Sequence, residues 1–278
     1  MNKIIEVKNI SKIFNHTKAI DGLNFSINQG EIFGFLGPSG SGKTTTINIL
    51  TGQLLPETGE ALVLGKKPQF LTPEELAEIG LVTDNSGFYE KLTLYQNVLF
   101  YSKFYGVSKE AVDDLLKMVG LYDSRKTIAE KLSTGMRQRM HLTRALINQP
   151  KIIFLDEPTS GLDPATSRAI HSLILDLKAK GTTIFLTTHD MHEATLLCDN
   201  LALLNKGKLV EQGNPYDLIQ KYNVNKAVKI IYQDGQTTVV PFTELTKITK
   251  VDEISSLHSC EPSLEDIFIE LTGGKLNV

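Results

Sequence analysis

The spacing of apolar positions changes several times along the chain, and each change predicts a change of element. Residues 3–30 alternate apolar and polar positions (Ile5, Val7, then Leu23, Phe25, Ile27), which predicts antiparallel strands with one buried face. Phe14 sits between these runs, shortly after Lys12, and pattern alone places it in the core. Residues 31–36 read as a short buried strand, and 45–50 continue as a helix with apolar positions at helical spacing. A turn over 54–60 leads to a strand at 61–64 that ends at Gly65. Thr72 is a suitable N-cap for a short helix opening at Pro73, and 79–82 is a further strand.

From residue 88 to 131 the period becomes three and four: Leu94, Val98, Tyr101, then Val112, Leu115, Leu116, Val119. This predicts a helical insertion, broken near Gly106 and Gly120, before a helix through Arg139, Leu142 and Leu146 that Pro150 closes. Ile152, Ile153, Phe154 and Leu155 form a continuous apolar run, the mark of a strand buried on both faces. It delivers Asp156 and Glu157 at its carboxyl end, where open α/β sheets bind ligands. Residues 182–187 form a second such strand and deliver His189. Strands alternating with helices predict an α/β fold with a mostly parallel sheet and helices on both faces. Residues 201–204 and 208–210, joined around Gly207, read as a hairpin.

The tail reads as a separate unit. Strands at 228–232 and 236–240 flank Asp234 and Gly235, a hairpin signal, and Pro262 opens an amphipathic helix with Ser263 and Asp266 spaced as a capping box. The expected division is a domain over 1–222, with a helical subdomain over about 88–135, and a small α+β accessory domain over 223–278.

Composition narrows the class. The chain has 278 residues and 41% apolar content, and no apolar run approaches the ~20 residues needed to cross a bilayer. Its first residues lack the apolar segment of a signal peptide. A net charge of −3 supplies no global field to recruit nucleic acid or anionic lipid. The two cysteines, Cys198 and Cys260, have neither CxxC spacing nor a nearby histidine cluster, which suits thiols in a reducing compartment. The expectation is a cytosolic protein.

The densest chemistry lies at Gly37-Pro38-Ser39-Gly40-Ser41-Gly42-Lys43-Thr44, which fits G-x-x-x-x-G-K-[ST] between a strand and a helix. Its glycines let successive N–H groups point into one anion-binding concavity, and the following helix adds the positive end of its dipole. Lys43 is placed for the β- and γ-phosphates, the Thr44 hydroxyl is a suitable Mg²⁺ ligand, and Thr45 belongs to the same phosphate-binding turn. A bound nucleoside triphosphate is the prediction.

Further motifs narrow the choice of NTPase. Leu132-Ser133-Thr134-Gly135-Met136-Arg137-Gln138-Arg139 resembles the LSGGQ motif of the ATP-binding-cassette (ABC) superfamily, and residues 152–157 resemble its Walker B strand. Residues 158–164 resemble its D-loop, and Thr187-Thr188-His189-Asp190 its switch histidine, in the family's order across roughly residues 4–220. The resemblance implies a P-loop NTPase fold with a RecA-like parallel core, an antiparallel β-subdomain and a helical insertion. It implies Asp156 holding Mg²⁺ through water, Glu157 polarising the attacking water, His189 sensing the γ-phosphate and Phe14 stacking on adenine. The residues alone also allow Glu157 as a second Mg²⁺-side carboxylate, His189 as a core histidine and Ser133 as only an N-cap. By resemblance Ser133, Thr134, Gly135, Met136 and Asp163 face ATP bound to a second copy, in a head-to-tail dimer expected to be a homodimer.

The motifs depart from the family at three places. Thr134 replaces the first glycine of LSGGQ, Met136 replaces its glutamine, and Asp84 stands where a Q-loop glutamine is usual, with Asn85 as the other candidate. A glutamine amide donates and accepts, whereas an ionised aspartate only accepts and adds charge. With no spanning segment, a transporter reading requires a separate membrane permease, whose coupling helix the family receives near Phe88, Tyr89 and Leu92. Residues 261–268 resemble the closing segment of ATPases serving ABC-2-type exporters of drugs and antibiotic peptides. The resemblance thus implies an exporter ATPase, peripheral on the inner face of the membrane. The alternatives are an importer ATPase or a non-transport ABC ATPase of iron–sulfur assembly, translation or DNA repair.

Overall fold

The computed structural model describes residues 2–83, 87–248 and 251–273. The chain divides into two compact units, Met1–Gln212 and Gly213–Val278.

In the first unit β1 (Lys3–Phe14) pairs antiparallel with β2 (Thr17–Asn28), the buried faces carrying the alternating apolar residues seen in the sequence. β3 (Ile32–Leu36) is buried throughout, and α1 (Lys43–Leu50) follows the glycine-rich loop. β4 (Thr58–Val63) pairs with the other edge of β1, closing a three-stranded antiparallel sheet in the order β2-β1-β4. α2 (Pro73–Leu76) carries the expected Thr72 cap, and β5 (Ile79–Val82) follows.

α3 (Leu94–Phe104), α4 (Lys109–Met118) and α5 (Thr134–Leu146) pack on one another and form the helical insertion. β6 (Ile152–Asp156), α6 (Pro164–Ala179), β7 (Thr183–Thr188) and α7 (Met191–Leu197) alternate as the sequence predicts. With β8 (Asn200–Asn205) and β9 (Lys208–Gly213) they complete a six-stranded sheet in the order β5-β6-β7-β3-β8-β9. The pairs β5–β6, β6–β7, β7–β3 and β3–β8 are all parallel. β7 therefore lies between the strand that precedes the glycine-rich loop and the strand that ends in Asp156. Phe25, Phe33, Phe35, Phe154 and Phe185 stack at the centre of the core.

The second unit holds α8 (Pro215–Tyr222) and an antiparallel sheet of β10 (Ala227–Tyr232), β11 (Thr237–Pro241) and β12 (Ile254–Ser259), ordered β11-β10-β12. α9 (Leu264–Thr272) starts at the predicted Ser263–Asp266 capping box and packs on α8. That packing puts the division at Gln212/Gly213 rather than at 222/223, because Leu218 of α8 and Leu264, Ile267 and Phe268 of α9 are all buried. Phe14 corrects the pattern-based reading. It is 43% exposed at the end of β1, with Lys12 Nζ 5.5 Å above its ring. Both thiols are free; Cys198 is buried, and burial pushes its pKa up, while Cys260 is exposed.

Candidate functional site

β3 ends at Leu36, and the loop over 37–42 turns the chain into α1 at Lys43. Gly42 makes the turn possible: its φ is 111°, and a Cβ there would lie 2.7 Å from Ala19 O. Lys43 is only 6% exposed, and its Nζ donates to Gly37 O at 2.7 Å and Pro38 O at 3.4 Å. The same ammonium lies 3.1 Å from Glu157 Oε1. Thr44 Oγ1 donates to Asp156 Oδ2 at 3.0 Å, and the other Asp156 oxygen accepts from Thr187 Oγ1.

Glu157 has a φ of 48°, in the left-handed region that costs a residue with a Cβ about 1–2 kcal/mol. Its own N–H holds the strained geometry by donating to Thr187 O at 3.0 Å and Thr187 Oγ1 at 3.2 Å. The side chain consequently turns off the end of β6, and Oε2 lies 2.9 Å from His189 Nδ1. His189 is exposed, which rules out the core-histidine reading.

These groups border a cleft of about 340 Å³, lined by Ser39, Gly40, Gly42, Lys43, Thr44 and Thr45, by Asp156 and Glu157, and by Ala19 of β2. Gly37, Pro38 and Ser41 shape the loop without lining the cleft, and Ser41 is buried. The cleft joins a cation to a wall of N–H groups, which suits a polyphosphate. Thr44 and Asp156 place an alcohol and a carboxylate oxygen together, a hard-oxygen donor set that fits Mg²⁺. A larger cleft of about 490 Å³ lies among α4, α5 and α6; its lining contains Lys151 and Lys180 but no acidic group. No motif residue lines it, so the smaller cleft is the candidate.

The remaining predicted residues lie elsewhere. Ser133 caps α5, its Oγ accepting from Met136 N at 3.2 Å; Ser133 and Thr134 are exposed, and Gly135 and Met136 half-buried. Asp163 caps α6, accepting from Ala165 N and Thr166 N at 3.0 Å each. The Thr166 hydroxyl bonded to it, joined by these N–H groups, holds its carboxyl below the usual range. Gly135 and Thr166 bring the starts of the two helices together, since a Cβ on Gly135 would lie 2.5 Å from Thr166 Cγ2. Asp84 and Asn85 lie outside the described residues. Sequence reasoning missed Ala19 and Thr187. Ala19 carries no motif signal, whereas Thr187 opens the switch-histidine stretch and is a buried polar residue near the end of β7, yet was given no role of its own.

Comparison with known proteins identifies the family. Residues 20–160 match the ABC transporter family model. A fluoroquinolones export ATP-binding protein of Mycobacterium tuberculosis is 38% identical, over 99% of this chain and 95% of its own. The bacitracin transport ATP-binding protein BcrA of Bacillus licheniformis is 34% identical, over 99% of both chains. An ATP-binding cassette of an ABC transporter in its ADP conformation superposes with a TM-score of 0.69 at 28% identity, over 78% of this chain and 93% of that one. A dimeric cassette in a post-hydrolysis state with ADP and Pi gives 0.68 at 29% identity, over 76% and 98%. The chain is therefore an ATP-binding ATPase belonging to the ATP-binding cassettes of ABC transporters.

Proposed function

We propose that this chain is the ATP-hydrolysing subunit of an exporter, driving a separate membrane permease of the ABC-2 type from the cytoplasmic face. The observation that carries the proposal is the convergence of Lys43, the Thr44–Asp156 pair and the Glu157–His189 pair at the carboxyl ends of β3, β6 and β7. Export is supported by the named relatives, whose likeness extends through the tail rather than stopping at the cassette. No helix among the described residues is long and apolar enough to cross a membrane, so the pathway would belong to a partner.

In this reading the loop N–H groups of residues 37–45 and Lys43 hold the phosphates, and the exposed Phe14 ring stacks on the adenine. Thr44, and Asp156 through water, would hold Mg²⁺, which when bound neutralises charge between the β- and γ-phosphates. Glu157 Oε2 accepts the proton of the attacking water, and His189 orients that carboxylate while contacting the γ-phosphate. The exposed Ser133, Thr134 and Asp163, with Gly135 and Met136, meet the ATP of a second copy, so that ATP closes a homodimer and hydrolysis reopens it. Asp84 tunes coupling to the permease; an Asp84→Gln variant with unchanged turnover and unchanged stimulation by the permease would remove that role.

Affinity purification of Glu157→Gln protein from gently solubilised cells, followed by mass spectrometry, tests the proposal. A polytopic membrane protein without its own cassette is the expected companion. Ribosomes or an assembly scaffold in its place would favour a non-transport ATPase, and a solute-binding protein with the permease an importer.

A further inference from the structure

We infer that Glu193 is a positioning residue for the hydrolytic pair, locking the segment after Glu157 to the helix after His189 through a buried bond to Thr159. The inference rests on the roles proposed above for Glu157 and His189.

Glu193 is the third residue of α7, behind the N-cap Asp190. A glutamate there ordinarily reaches back to the N-cap N–H and completes a capping box. Glu75, Gln96 and Asp266 do so in α2, α3 and α9. In α7 the Asp190 N–H donates instead to Thr188 Oγ1 at 3.0 Å, and Asp190 Oδ1 accepts from the N–H groups of His192 and Glu193. The helix end is satisfied without the glutamate side chain.

That side chain is directed inwards and is 1% exposed. A carboxylate only accepts, so Thr159 Oγ1–H and His171 Nε2–H both donate to Glu193 Oε1, at 2.5 Å and 2.9 Å. Oε2 is buried without a hydrogen-bond partner among the described residues. Leaving a buried acceptor unpaired is costly, and apolar packing of similar volume would avoid the cost. What the acid supplies is connection. Thr159 lies in the stretch between Glu157 and Asp163, His171 lies on α6, and Glu193 lies on the helix that begins just after His189. One oxygen atom thus joins the continuations of both strands that deliver the hydrolytic pair. The 2.9 Å separation of Glu157 Oε2 and His189 Nδ1 depends on those continuations staying in register.

The test compares Thr159→Val, Thr159→Ser, Glu193→Ala and the double variant T159V/E193A, with E157Q beside them. Turnover and KM are read from phosphate release, and nucleotide affinity from a fluorescent ATP analogue. Because sub-ångström misplacement of reacting groups is costly, T159V should lose about 10- to 100-fold in kcat with KM and nucleotide affinity unchanged. T159S should recover the wild-type rate, and adding T159V to E193A should cost nothing more. Wild-type turnover in T159V, a loss confined to KM or nucleotide affinity, a T159S variant as slow as T159V, or additive losses in the double variant would each overturn the inference. An E157Q variant that turns over normally would instead remove the reading of Glu157 on which it rests.

Discussion

Glu157 Oε2 and His189 Nδ1 lie 2.9 Å apart, although 32 positions separate them in the chain. The contact exists because β6 and β7 are adjacent parallel strands, with Asp156 in register with Thr187. The left-handed turn at Glu157 then aims its carboxylate at the residue that leaves β7. In the proposed mechanism the histidine orients the water-activating carboxylate and so acts mainly in the transition state. Replacing it, as in His189→Ala, should lower ATP turnover about 10²- to 10³-fold while ATP binding persists, measured by phosphate release and nucleotide titration.

Lys43 has the complementary role. Its ammonium is buried among carbonyl oxygens and Glu157, and ATP phosphates would replace those acceptors with stronger ones. Lys43→Ala should therefore weaken ATP affinity about 10- to 100-fold, the equivalent of a charged hydrogen bond, in a direct binding titration.

Gly135 is set by packing as well as by any contact with a nucleotide. Thr166, which a new Cβ would strike, is fixed by its hydroxyl bond to Asp163 at 2.6 Å and has little freedom to give way. Gly135→Ala should destabilise the fold by about 1–3 kcal/mol in urea unfolding, and Asp163→Ala should lower the urea midpoint through loss of the α6 cap.

Burial pushes the His141 imidazole from 6.5 down to about 4, helped by the positive charges of Arg144 and Arg137. The folded state therefore holds the ring neutral while the unfolded chain takes up a proton below pH 6.5. The resulting stability is complete above that pH and is lost as pH falls towards 4, amounting to about 2–3 kcal/mol. His141→Gln should flatten this acid limb, seen by comparing urea midpoints of variant and wild type above pH 6.5 and near pH 4.

The glycine-rich loop, Asp156 and Glu157 are legible in the sequence because each sits at the end of a short apolar strand, and His189 because it follows a buried strand centred on Ile184, Phe185 and Leu186. Such a strand is buried on both faces, and its end is a ligand site. Phe14 was misplaced because alternation shows which residues share a face but not that the hairpin end where Phe14 pairs with Thr17 is open to solvent. α8 reads locally as the end of the first domain, and only its packing on α9 assigns it to the second. The Thr159–Glu193 bond spans 34 positions, and nothing local distinguishes this glutamate from a solvent-facing one at the start of a helix. The Gly135–Thr166 approach is equally long-range: it depends on how two helices meet, not on the pattern of either.

The most direct test of the account is the sedimentation of Glu157→Gln protein with and without saturating Mg-ATP. The account predicts a monomer that becomes a stable dimer when ATP is bound and cannot be hydrolysed. A variant that binds ATP at full occupancy yet sediments as a monomer would contradict it.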